Sequence, residues 1–168
     1  KINAIKGLSF LYDDELLFTG YGKKVPAMYF QYPDYDLLKS GMKLDPDDFN
    51  HYFRKGLECK WFQGDERAYE SHRRPMIAAL WSTKGCTAKC TFCQRTIKGY
   101  RVGEIAGLDE HLKELKEKYN VGFIFIADES FGSNKPHAYS VAETMKKHDM
   151  LWAAGGVRCS SVKQEDVE

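Results

Sequence analysis

The chain has 168 residues, a formal charge of +1 from 25 Lys and Arg against 24 Asp and Glu, and a hydrophobic fraction of 43%. Near-neutrality argues against an acidic tail and against a protein that grips nucleic acid through bulk charge. The apolar content, with 14% aromatic residues, suits a packed core, and no apolar run approaches the roughly 18 residues of a membrane span. The chain opens on Lys1 without a signal-peptide pattern, so the expectation is a segment that begins inside a longer protein. Its five cysteines are odd in number and three are clustered, which predicts reduced thiols in a cytoplasmic, low-oxygen setting rather than a disulfide framework.

Residues 3–20 predict a β-hairpin. Ala4 to Tyr12 is strand-like, Asp13-Asp14-Glu15 supplies the turn, and Leu16-Leu17-Phe18-Thr19 returns before Gly20-Tyr21-Gly22 ends it. Pro26 and then Tyr32-Pro33-Asp34-Tyr35-Asp36-Leu37-Leu38 read as a linker, because proline and aspartate there favour turns over regular structure. A linker helix is predicted over 45–57. Asp45 can cap it, Pro46 sits where its missing N–H costs nothing, and Asp47 and Asp48 face the positive end of the dipole. Phe49, Tyr52, Phe53 and Leu57 fall on one face of it. Gly64 to Arg74, polar and basic, reads as a solvated loop rather than a phosphate or nucleic-acid site.

From residue 76 the pattern alternates. Met76 to Ser82 is a nearly continuous apolar run, as expected of a parallel strand buried on both faces. Asp109 is expected to cap a helix with Leu108, Leu112, Leu115 and Tyr119 on one side and Lys and Glu on the other. Phe123 to Ala127 is a second buried strand. Asn134 and Pro136 open a second helix that turns Ala138, Val141, Ala142 and Met145 inward. Leu151 to Val157 reads as a third strand, in which Gly155-Gly156 marks close packing rather than a phosphate loop. Val162 to Glu168 looks like the start of a third helix. Repeated β-α-β units imply a parallel sheet with right-handed crossovers.

The first of these strands runs directly into Cys86-Thr-Ala-Lys-Cys90-Thr-Phe-Cys93. That spacing lets three sulfurs reach one centre from a short loop, and thiolates are soft ligands suited to iron–sulfur clusters and zinc. A closed zinc site usually takes four protein ligands, and no Cys or His follows within the next several residues. Three thiolates on a four-iron cluster would leave one iron open. Cys59 and Cys159 read as ordinary buried thiols, with either available as a fourth ligand. In parallel sheets, ligands bind at the carboxyl ends of the strands. Asp128-Glu129-Ser130 follows the second strand and Arg158 the third, so thiolates, carboxylates and a guanidinium are expected on one rim.

Cys86, Cys90 and Cys93, with Phe92 before the last, resemble the cluster loop of radical S-adenosylmethionine enzymes. The resemblance implies a [4Fe-4S] cluster on the three cysteines and S-adenosylmethionine as second cofactor. Its amino group would lie against Asp128 or Glu129, its carboxylate against Arg158 and its adenine against Phe92, with Arg95 and Arg101 near it. Asp128-Glu129-Ser130-Phe131 resembles the acidic-acidic-x-Phe pattern of the cobalamin-associated branch, and residues 5–38 look like the tail of a cobalamin domain. The glycines that precede the family's glutamate are absent here, and so is the Asp-x-His-x-x-Gly motif that ligates cobalt.

The implied fold is α/β, a partial (βα) TIM-type barrel of about three units preceded by a β-hairpin and a linker helix. Residues 1–38 would be the upstream tail, 39–75 the linker helix and loop, and 76–168 the first half of the barrel. Three strands fall short of a closed barrel, and the open edge is an association liability, so the chain alone is expected to be inactive. The implied activity is reductive cleavage of S-adenosylmethionine followed by hydrogen abstraction, with cobalamin-dependent methyl transfer as the favoured subtype. Expected partners are a small-molecule, natural-product or peptide substrate and an electron donor such as flavodoxin or ferredoxin. The alternatives are a cobalamin-independent methylthiotransferase or cyclase and, from another class, a zinc-binding interaction module.

Overall fold

The computed structural model describes residues 4–22, 32–41, 52–55, 76–93 and 99–166. The fold is mixed α/β. Strands β1 (Ser9–Tyr12) and β2 (Glu15–Phe18) form the predicted hairpin, paired from Ser9↔Phe18 to Tyr12↔Glu15. Glu15 belongs to the second strand. The turn is the two-residue Asp13-Asp14, both at positive φ (50° and 61°), the backbone that matches strand twist in tight hairpins.

Helix α1 (Tyr35–Gly41) occupies part of the predicted linker. Asp34 starts it: its side chain accepts from the Leu37 amide at 2.8 Å and its carbonyl from the Leu38 amide at 3.0 Å. Pro33-Asp34 is therefore a helix start rather than a chain of turns. The predicted helix over 45–57 lies mostly outside the described residues, as does the 64–74 loop. Where its end is described the chain is extended: β3 (Arg54–Lys55) pairs antiparallel with β4 (Met76–Leu80). A neighbouring strand edge overrides helical periodicity there.

Strands β4, β7 (Val121–Ile126) and β8 (Leu151–Ala154) form the parallel core of the sheet, in the order β3-β4-β7-β8. The third strand is shorter than predicted, ending at Ala154 before the glycine pair. Between β4 and the next helix a small antiparallel ribbon intervenes, β5 (Thr83–Gly85) with β6 (Tyr100–Val102).

Helix α2 (Ile105–Tyr119) buries Leu108, Leu112 and Leu115 on one stripe and ends at Asn120, whose left-handed backbone returns its N–H to the Leu115 carbonyl. It begins after Glu104. Asp109 is thus one turn inside it rather than its cap, and binds Lys147 at 2.8 Å and His148 at 2.8 Å across to the next helix. Helix α3 (Lys135–Lys147) starts as predicted, with the Asn134 side chain accepting from the His137 amide at 3.0 Å, and buries Val141, Thr144 and Met145. The tail makes 3₁₀ turns at Cys159–Ser161 and Gln164–Asp166 in place of a third α-helix through residue 166. Asp166 is held there by Lys135 at 2.8 Å and by Tyr139.

The main core lies between one sheet face and α2 and α3: Ala78, Leu80, Ile124 and Ile126 meet Leu108, Leu112, Leu115, Val141 and Met145. Burying each large aliphatic side chain there contributes about 1.5–3 kcal/mol. The opposite face holds a smaller cluster, Ile77 and Phe123 with Leu151 and Ala153 partly buried, and Ala79 exposed. Burial on both faces, expected of β4, is thus uneven. Among the described residues no helix is long and apolar enough to cross a membrane.

An aromatic group fixes α1 and residues 52–53 to α2. Tyr35 packs edge-on to Phe53 (4.7 Å) and Tyr119 (5.4 Å), and His111 stacks on Tyr32 at 4.5 Å. Burial holds the His111 imidazole below its ordinary pKa, against the opposing pull of Glu114. In the unfolded chain it protonates near pH 6.5 (about the free value). The folded state binds that proton less well, so the stability present above that pH is lost as pH falls through it. Burial lowers His137 in the same direction. The urea midpoint is therefore expected to fall between about pH 7 and 5, with a shallower slope in His111→Phe. Asp36 and Asp109, whose pKa values are depressed by their Lys118 and Lys147 partners, act only below about pH 4. An unchanged slope in His111→Phe would remove His111 from the account.

Candidate metal and cofactor site

The rim at the carboxyl ends of the parallel strands is built from three consecutive exits. The ladder continues one step past each strand, with the Ala127 amide donating to the Leu80 carbonyl and the Gly155 amide to the Ile126 carbonyl, both at 2.8 Å. From β4 the chain passes through Ser82-Thr83 into β5 and then into the cysteine loop. From β7 it passes into Asp128-Glu129-Ser130. From β8 it turns at Gly156 (φ 64°) into Val157-Arg158. A Cβ placed on Gly156 would lie 2.1 Å from the Asp128 carbonyl oxygen, so only glycine lets the third exit lie against the second. The close-packing reading of Gly155-Gly156 agrees with this geometry.

Cys86 is half-buried, directly after β5. Its sulfur accepts from the Ala88 amide at 3.3 Å. Its thiol is held below the ordinary pKa by a hydrogen bond from Ser130, by the Ala88 amide and by the nearby Arg158, against partial burial and Glu129. Arg158 donates from Nη1 to Thr87 Oγ1 at 3.4 Å, and Thr87 Oγ1 lies 3.4 Å from Ser133 Oγ. The structure thus brings Cys86, Glu129 and Arg158 into one neighbourhood.

The remaining predicted residues are placed differently. Cys90 and Cys93 are exposed in a turn closed by the Cys93 amide on the Cys90 carbonyl at 3.2 Å, and Phe92 between them is 90% exposed. Arg101 lies on β6, opposite Lys84, at half-burial. Arg95 and Cys59 lie outside the described residues. Cys159 is exposed on a 3₁₀ turn beside Arg158 rather than buried, because the chain has already left the sheet there. Among the described residues no three His, Cys, Asp or Glu side chains gather into a metal-binding array; the three sulfurs are strung along the loop. The described cysteines are free thiols.

Asp128 and Glu129 part company. Asp128 is 4% exposed, and its carboxylate accepts four hydrogen bonds: the Ser82 amide and hydroxyl, both at 2.7 Å, and the Thr83 amide at 3.0 Å and hydroxyl at 2.8 Å. Glu129 is exposed. His137 closes the same corner, its Nε2 lying 3.1 Å from the Ser82 carbonyl. The Tyr32 phenol is pushed up to about 12 by burial and then by the Asp128 charge. None of Ser82, Thr83 or His137 stands out in the sequence as part of a site, since their partners lie 45 or more residues away along the chain.

The chain is 25% identical over 122 residues to the cytidylyl-2-hydroxyethylphosphonate methyltransferase of Streptomyces wedmorensis. The match covers 70% of this chain and 22% of that enzyme, so the chain spans about a fifth of its relative's length. No family model matches the chain, and no solved structure matches it. What the sequence resembles at this level is an enzyme, a methyltransferase.

Proposed function

We propose that Cys86, Cys90 and Cys93 hold a [4Fe-4S] cluster at the rim of a partial radical S-adenosylmethionine barrel, beside a seat for S-adenosylmethionine. The observation that supports this is the meeting of Cys86, Glu129 and Arg158 from three successive strand exits. The donor set fits the cluster: three soft, unpaired thiols on one loop, one of them already eased toward the thiolate. Bound there, the cluster supplies the low-potential electron that cleaves S-adenosylmethionine to methionine and a 5′-deoxyadenosyl radical.

The chain's own part is recognition. Exposed Glu129 accepts from the cofactor ammonium, and Arg158 grips its carboxylate bidentately. Phe92 offers a face to adenine, and Arg101 lies near the cofactor in this reading. The thinly covered sheet face of Ile77 and Phe123 is the inner wall of the barrel in this reading. The resemblance to a methyltransferase favours methyl transfer; in this reading the acceptor is an unactivated carbon of a small-molecule or peptide substrate, with cobalamin as the methyl carrier and flavodoxin or ferredoxin as the electron donor.

Anaerobic reconstitution with iron and sulfide tests the reading. The chain is expected to turn brown and take up about four irons, and Cys90→Ala to lose most of them. Calorimetry on the loaded chain is expected to show S-adenosylmethionine binding that Glu129→Gln weakens at least about tenfold, the scale of one charge-assisted hydrogen bond. Tightly bound zinc without iron uptake would overturn the proposal in favour of a zinc-binding interaction module.

A further inference from the structure

As the chain leaves β7 its side chains alternate: Asp128 and Ser130 turn inward, at 4% and 0% exposure, and Glu129 between them faces solvent. Both inward groups act on residues 82–87. Asp128 takes the two amides and two hydroxyls of Ser82 and Thr83, which lead through β5 into Cys86. Ser130 lies one step on, fully buried, with its hydroxyl 2.8 Å from Ser133, whose hydroxyl is 3.4 Å from Thr87 next to Cys86.

The hydroxyls beyond Ser130 form a chain: Ser130 Oγ to Ser133 Oγ at 2.8 Å, Ser133 Oγ to Thr87 Oγ1 at 3.4 Å, and Thr87 Oγ1 to Arg158 Nη1 at 3.4 Å. A guanidinium donates and cannot accept. Thr87 therefore accepts from Arg158, while in the Thr87–Ser133 and Ser133–Ser130 pairs either hydroxyl can donate; the chain joins Arg158 and Thr87 to buried Ser130, whose hydroxyl bears on the Cys86 thiol.

We propose that Asp128 and Ser130 are positioning residues that preset the leading limb of the cysteine loop and Cys86, leaving Cys90 and Cys93 to close onto a metal centre. Asp128 is an anchor for the loop, and Glu129 is the carboxylate of this pair that a ligand meets. The anchoring stands on the hydrogen bonds alone. Its redox consequence rests on the iron–sulfur reading, because hydrogen bonds to cluster sulfurs raise the reduction potential.

Two measurements separate these parts. In the metal-free chain, amide exchange at residues 82–88 is expected to accelerate at least about tenfold in Asp128→Asn, the scale of one lost hydrogen bond to a charged group, and by more than exchange in α3, which reports any global loss of stability. Unaltered exchange at 82–88 overturns the anchor. In the iron-loaded chain, Ser130→Ala is expected to lower the reduced-to-oxidised ratio at fixed poise about tenfold, a midpoint about 59 mV more negative for a one-electron couple. Ser130→Thr, which keeps the hydroxyl, should restore the wild-type midpoint, and Ser133→Ala should shift it the same way by less. An unshifted midpoint in Ser130→Ala overturns the role of Ser130. A wild-type chain that takes up no cluster removes the iron–sulfur reading, and the exchange measurement still decides the positioning.

Discussion

Asp128→Ala is expected to lower the unfolding free energy by roughly 2–6 kcal/mol, the cost of leaving two buried amides without an acceptor. The carboxylate accepts from two backbone amides and two hydroxyls within 2.7–3.0 Å. The hydroxyls of Ser82 and Thr83 can rotate toward other acceptors. The amides cannot turn without unwinding the start of β5, and each buried amide left without a partner costs about 1–3 kcal/mol. Against a typical total of about 5–15 kcal/mol, the variant should show a much lower urea midpoint. Glu129→Ala, one residue away and exposed, should leave the midpoint where it is. Equal midpoints for the two variants would mean that the four hydrogen bonds contribute little, and the anchor would fail with them.

Gly156→Ala is expected to cost about 2–4 kcal/mol, above the 1–2 kcal/mol that a left-handed backbone alone imposes on a residue with a Cβ. The added carbon falls 2.1 Å from the Asp128 carbonyl oxygen and 2.9 Å from the Glu129 carbonyl carbon, and both are backbone that cannot swing aside. Gly132→Ala is the matched control: its φ is 79°, and the first atom a Cβ meets there is Ser161 Oγ at an ordinary 3.8 Å. The excess of the first variant over the second, read from urea midpoints, measures the close approach of the third strand exit to the second. Since alanine at 156 displaces the same backbone that carries the Asp128 carboxylate, Gly156→Ala and Asp128→Ala should combine with less than additive loss. A Gly156→Ala variant no worse than Gly132→Ala would show that the β7 and β8 exits are not wedged together.

Local chemistry was legible in the sequence wherever neighbours along the chain supply it. Asp13-Asp14 made the hairpin turn, Asn134 with Pro136 opened α3, and the stripe Leu108, Leu112 and Leu115 marked the inward face of α2. Short elements were misread where a partner distant in sequence decided the outcome. Residues 54–55 continue a helical pattern yet are extended, because the edge of β4 offers them hydrogen bonds. Asp109 resembles a cap yet lies within α2, because Lys147 and His148 of the next helix are its partners.

The rim divides the same way. The sequence by itself determined that three thiols share one loop, that this loop follows the first parallel strand, and that two carboxylates and an arginine follow the next two, since order along a β-α-β chain dictates which groups reach the carboxyl edge. It was silent on which carboxylate faces outward. That was decided by the tertiary structure, through the register of β7 against β4: Asp128 falls opposite the amides and hydroxyls of Ser82 and Thr83 and is buried there, and the bend that follows leaves Glu129 in solvent and buries Ser130.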